Sequence, residues 1–112
     1  MVARASSFAA ELSELLILRL LGEREMYGYE LAKAVEALTR HRIRLGEGLL
    51  YPLLHALEQQ GLLRSRRETV NGRPRIYYRT TARGRRRLAG LVEHWRETTA
   101  VVNFALGEGS HA

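Results

Sequence analysis

A chain of 112 residues with no cysteine supports one domain with a modest core, and it can hold no disulfide, thiolate metal site or thiol nucleophile. No apolar run reaches the roughly 18 residues that cross a bilayer, and residues 1–7 carry Arg4 without the pattern of a secretion signal, so the chain is expected in the cytoplasm. The formal net charge is +6, but residues 63–87 hold ten arginines against one acid, Glu68; that segment is +9 and leaves −3 for the rest.

A field focused in this way steers toward a polyanion, and the planar fork of arginine suits phosphate oxygens and guanine edges. Lys33 is the only lysine, so a compositional bias accounts for arginine over lysine. It does not account for the placement. Nucleic acid is the expected partner.

The first apolar block runs from about Phe8 to Leu21, with Leu12, Leu15, Leu16, Leu18 and Leu20 crowded together. Its length and sparse β-branching predict a helix, which Gly22 is expected to end. A second helix is predicted from about Tyr29 to Thr39, where Leu31, Val35 and Leu38 share one face at i, i+4 and i+7. A third is predicted from Glu47 or Gly48 to Gly61, burying Leu50, Leu53, Leu54 and Leu57, with Pro52 in its first turn. Gly61 is placed to close it in a left-handed conformation. Three short helices with brief connectors read as a helix-turn-helix arrangement.

After Gly61 the period changes. Leu63 to Val70 and Arg75 to Thr81 are predicted as strands joined by Asn71-Gly72, a strong hairpin signal. Ile76 and Tyr78 then share the packing face, and Arg75, Tyr77 and Arg79 share the other. Thr81 is placed to cap a last helix from about Ala82 to Leu106, roughly 37 Å long. Along it Leu88, Leu91, Val92, Trp95, Thr99, Val102 and Leu106 recur at helical spacing. A small core cannot cover such a helix, so the stripe beyond Trp95 stays wet unless a second chain covers it. The expected fold is mainly α with a small β-hairpin: a winged helix-turn-helix over residues 1–81, with a dimerisation helix and tail over residues 82–112.

Three stretches narrow this to one family. Met26-Tyr27-Gly28-Tyr29-Glu30-Leu31 resembles the His-Gly-Tyr-Glu signature of the PadR family of transcriptional regulators at the start of its second helix. Gly48-Leu49-Leu50-Tyr51-Pro52, continuing to Leu57-Glu58 and Gly61-Leu62, resembles its recognition helix. Gly72-Arg73-Pro74-Arg75-Ile76-Tyr77-Tyr78 with Thr80-Thr81-Ala82-Arg83-Gly84 resembles its wing and the start of its last helix. The short C-terminal region resembles the compact branch, which has one dimerisation helix. Two departures stand out: Leu49 replaces the family's usual Thr or Ser, and His55 stands where a basic residue is common.

The resemblance implies a homodimeric repressor on double-stranded DNA. The residues expected to touch DNA are Tyr29, Arg42, Arg44, Tyr51, His55, Arg66, Arg73, Arg75 and Tyr77. For Tyr29 a core or turn role fits equally. Arg73 and Arg75 flank the wing turn, where resemblance puts them against the minor groove. Phe8, Leu12, Leu88, Leu91, Val92, Trp95, Val102 and Leu106 are the expected dimer contacts; whether the first helix packs within or between subunits is open. Compact relatives can enclose flat aromatic molecules at the dimer interface, which makes Trp95, Phe8 and Leu91 an effector site on one reading and packed interface on the other.

Enzymatic chemistry is excluded for want of a nucleophile elbow or a phosphate-binding glycine loop. The histidines 41, 55, 94 and 111 lack metal-ligand spacing, so neither a metal nor a cofactor is expected. The rival reading is a winged-helix protein-docking module with only non-specific DNA affinity. Leu49 is what lost DNA contacts would look like, whereas the basic hairpin speaks against it.

Overall fold

Leucine-rich α1 (Val2–Glu23) runs through the middle of the molecule, because Leu16, Ile17, Leu18, Leu20 and Leu21 are all buried along its second half. A helix with so broad an apolar surface has to be covered over most of its girth, and α2, α4 and the sheet pack on this one, leaving Arg19 and Glu23 exposed. The computed structural model describes residues 2–108, with side chains from residue 9 onward. Phe8 therefore contributes backbone to α1 while its side chain lies outside the described residues, and so does His111 altogether. Gly22 does not end α1; it is taken into the helix, which stops one residue later.

Strand β1 (Met26–Tyr27) was not expected. It pairs antiparallel with β3 through Met26–Tyr78 and Tyr27–Tyr77, making a three-stranded sheet of order β1-β3-β2. Helix α2 (Gly28–Leu38) starts directly from it, and the Glu30 carboxylate accepts the Tyr27 N–H at 3.2 Å. Leu31 and Val35 are fully buried, but Leu38 is 44 % exposed and leaves the predicted stripe. It is the last residue of the helix. At Thr39 the hydroxyl donates to the Val35 carbonyl (2.8 Å) and accepts the Ile43 N–H (3.1 Å), and Arg40 and His41 turn left-handed at φ 54° and 63°.

Helix α3 (Glu47–Gln59) buries Leu50, Leu54 and Leu57 and half-buries Leu53. Pro52 is its sixth residue rather than part of its first turn, so the Gly48 carbonyl loses its i+4 donor. Gly61 (φ +77°) closes α3 in the way predicted. Its N–H reaches the Glu58 carbonyl (2.9 Å) and the Leu62 N–H reaches that of Leu57 (2.9 Å), the paired bonds of a left-handed helix stop. Leu62 is buried beneath that turn.

Strands β2 (Leu63–Val70) and β3 (Arg73–Thr80) pair along their full length about Asn71 (φ 52°) and Gly72 (φ 77°). Two consecutive positive φ values give the tight turn whose twist matches the strands. β3 starts two residues earlier than expected, and Thr81 belongs to the next cap. Tyr78 and Thr80 face the core, where the Thr80 hydroxyl donates to the Leu18 carbonyl at 3.0 Å and ties the sheet to α1.

The Thr81 hydroxyl accepts the Gly84 N–H (3.0 Å) and donates to the Gly61 carbonyl (2.7 Å), which starts α4 (Ala82–Ala105). Such a cap contributes about 1 kcal/mol. Leu91 is buried in the core of its own chain, with Leu88 packed against it, and Arg87 grips the Glu14 carboxylate of α1 at 2.7 and 3.1 Å. Beyond Trp95 the cover thins. Val102 is 48 % and Leu106 67 % exposed on the α1-facing side, while Val101 and Phe104 are exposed on the other.

Candidate nucleic-acid interface

The N-terminus of α2, the outer flank of α3 and the second wing strand converge on one groove. Tyr27, Gly28, Tyr29, Tyr51, His55, Arg73, Pro74 and Arg75 line it. Five of the nine residues expected to meet DNA are therefore brought together: Tyr29, Tyr51, His55, Arg73 and Arg75. The α3 stripe dictates part of this, since burying Leu50, Leu54 and Leu57 turns Gly48, Pro52 and His55 outward. Tyr51 leans on Gly28 so closely that a Cβ there would lie 2.6 Å from its hydroxyl oxygen. Only glycine at the start of α2 allows that approach.

Tyr29 is 61 % exposed, which leaves the surface reading and removes the core one. It stacks near Tyr27 (centroids 6.4 Å apart, planes at 22°), and the Lys33 ammonium lies 5.5 Å from its ring centre. Tyr27 also meets Tyr77 edge-on at 5.5 Å, and the Arg75 guanidinium lies 4.4 Å above the Tyr27 ring. A hydrogen bond to Tyr77 raises the Arg75 pKa further, so the group is always charged. Arg73 sits exposed at the wing turn.

The other expected contacts fall elsewhere. Arg66 and Tyr77 lie on the same face of the hairpin as Arg75 but outside the groove, in a hollow with Glu25, Arg64 and Arg79. There the Arg66 guanidinium pairs with Glu25 and Glu68 and lies 4.7 Å over the Tyr77 ring. Arg42 is exposed on the loop between α2 and α3, and Arg44 pairs with Glu36 at 3.2 Å. Leu49 is half exposed at the first turn of α3. Sequence reasoning missed Tyr27, Lys33 and Glu25 as parts of this region. Only Tyr27 carried a signal, through its place in the quoted motif; the partners of the other two are set by the fold.

On the far side, a trough between α1 and α4 is lined by Leu15, Val92, Trp95, Arg96, Thr99, Ala100 and Asn103. It contains Trp95 but not Leu91, whose side chain is spent in the core. Among the described residues no cluster of His, Cys, Asp or Glu could hold a metal ion, and no helix is long and apolar enough to cross a membrane.

Comparison with known proteins bears on the family and the fold. The sequence model of the transcriptional regulator PadR-like family matches residues 17–90. A transcriptional regulator of Mycobacterium tuberculosis is 40% identical over 95 residues, which cover 85% of this chain and 83% of that protein. The crystal structure of a PadR family regulator from Eggerthella lenta superposes with a TM-score of 0.75 at 34% identity, covering 94% of this chain and 92% of that one. A transcriptional regulator from Clostridium thermocellum gives 0.78 at 31% identity, covering 83% and 91%. The chain accordingly belongs to the PadR-like family: it is a winged-helix transcriptional regulator and not an enzyme.

Proposed function

We propose that the chain works as a homodimeric repressor that presents two α3 helices to successive major grooves of a pseudo-palindromic operator. The observation that carries this reading is the single groove shared by α3, the start of α2 and the two wing arginines, on a face with exposed cations. Tyr51 and His55 lie along the flank of α3 facing the wing. Arg73 and Arg75 meet the flanking backbone or minor groove, and Tyr29 and Arg42 supply further polar contacts. Two reading heads on one face of B-DNA stand about 34 Å apart, and binding there occludes a promoter.

The same dimer covers the wet half of α4. Val92, Trp95, Val102 and Leu106 form the contact stripe with Leu12 of α1, and the trough beside Trp95 takes a flat aromatic effector that alters the spacing of the two heads. Val102→Asp with Leu106→Asp puts four charges into that interface and is expected to give a folded monomer by sedimentation, since an unpaired buried charge costs several kcal/mol. A variant that stays dimeric sinks the placement of the interface.

Fluorescence anisotropy against the DNA upstream of its own gene, with excess unrelated competitor, tests the function. A dimer making about six to eight phosphate contacts has a log K that falls with log salt at a slope of about −5 to −7. A slope near zero overturns DNA binding. Weak binding that is equal for all sequences favours instead a protein-docking module, with exposed Leu49 as part of its surface.

A further inference from the structure

We propose that Arg66 is a positioning residue that holds the Tyr77–Tyr27 pair beneath Arg75, and is not itself a DNA contact. The proposal rests on the DNA-binding reading above and assigns that surface an internal support.

The guanidinium of Arg66 is occupied on its edges and on one face. Nε donates to both Glu25 carboxylate oxygens at 3.0 Å, Nη2 donates to Glu25, and Nη1 donates to Glu68 at 2.6 Å. All three nitrogens are thus engaged, and the plane rests on the Tyr77 ring at 4.7 Å. The Glu25 carboxyl is held below its usual range, first by the hydrogen bond from Arg66 and then by the charges of Arg66 and Arg79. Arg64 and Arg79 keep the hollow cationic, but the two carboxylates take up every nitrogen of Arg66 and leave it no free edge for a phosphate. Arg66 would have to release both acids before it could grip a backbone.

What Arg66 does touch leads to the interface in two steps. Tyr77 is the cross-strand partner of Arg66 in β2–β3 and of Tyr27 in β1–β3. Its ring meets that of Tyr27 edge-on, and Arg75 stacks on the Tyr27 ring. Among the described residues Arg75 has no carboxylate within ion-pair distance, so its contact with the Tyr27 ring sets its direction. Glu25 directly precedes β1. The Glu25–Arg66 clamp therefore ties a two-residue strand to the wing and fixes the ring under Arg75.

The test measures operator affinity and its salt slope for wild type, Arg66→Ala, Arg66→Lys, Arg75→Ala and the Arg66→Ala/Arg75→Ala double variant, using the duplex from upstream of the gene. Arg66→Ala is expected to weaken binding about tenfold and to lower the salt slope by less than Arg75→Ala does, because Arg75 keeps its charge and loses only its fixed direction. Arg75→Ala reduces the slope by about two per dimer. In the Arg75→Ala background the Arg66→Ala change has no further effect, which shows coupling. Arg66→Lys behaves like alanine, since an ammonium lacks the planar fork that spans two acids and a ring. Should Arg66→Ala fail to fold, Glu25→Gln attacks the same clamp from its other end and is expected to show the same pattern. The proposal is overturned if Arg66→Ala flattens the slope as Arg75→Ala does, if lysine restores wild-type affinity, or if the two losses add. A wild-type protein without salt-dependent binding overturns the DNA-binding reading as well, so the two failures are distinct.

Discussion

Arg73→Ala combined with Arg75→Ala weakens operator binding about a thousandfold and flattens the salt slope by about 3 to 4, while the protein stays dimeric. A homodimer loses four guanidinium groups when each subunit loses two. At roughly 1 kcal/mol for each group near phosphate, the total is about 4 kcal/mol, or close to three decades in affinity. Each neutralised phosphate contributes about 0.9 to the slope, so four of them account for more than half of the slope expected for the whole complex. The fold should not register the change. Arg73 is exposed at the hairpin turn, and Arg75 lies over an aromatic face without an ion-pair partner among the described residues. A double variant that keeps the wild-type slope places the wing away from DNA, and one that dissociates into monomers places it in the dimer interface.

The parts of this surface that were legible in the sequence are those built from local signals. Burial of Leu50, Leu54 and Leu57 orients α3, Asn71-Gly72 sets the hairpin register, and Thr81 caps α4. Each acts within four residues of its partner, so spacing alone reveals it. β1 escaped because two residues carry no period, and its partner strand lies some fifty positions further on. The basic wing does not reveal that Arg66 has carboxylate partners, because one of them, Glu25, is 41 residues away in the chain. Leu91 repeats along α4 with the dimer stripe, but α1 packs over that point and draws it into the core of its own subunit. Periodicity shows which side chains are covered; it does not show by which chain. Leu38 failed for the opposite reason, since the helix stops there and no element follows to cover it.

The junction between wing and α4 has the least tolerance for added volume. A Cβ at Gly84 would lie 2.2 Å from the Leu62 carbonyl oxygen and 2.6 Å from the Thr80 Cγ2. The first is backbone and cannot swing aside. That carbonyl also accepts the Thr81 N–H at 3.1 Å, next to the Thr81–Gly61 bond that seats the helix cap. Gly84→Ala therefore has to push the first turn of α4 off the end of α3. Alanine recovers about 1 kcal/mol of helix propensity, but overpacking costs about 1–3 kcal/mol and two strained hydrogen bonds about 1 kcal/mol each. The net loss is about 2–4 kcal/mol, read as a Tm lower by roughly 10–20 °C. Gly90, two turns further along the same helix, has open space where a Cβ would go. Gly90→Ala is accordingly expected to leave stability unchanged or raise it by up to about 1 kcal/mol. Opposite signs from the same substitution in one helix isolate packing from propensity. If both variants melt at or above the wild-type temperature, the close seat of α4 on Leu62 is wrong.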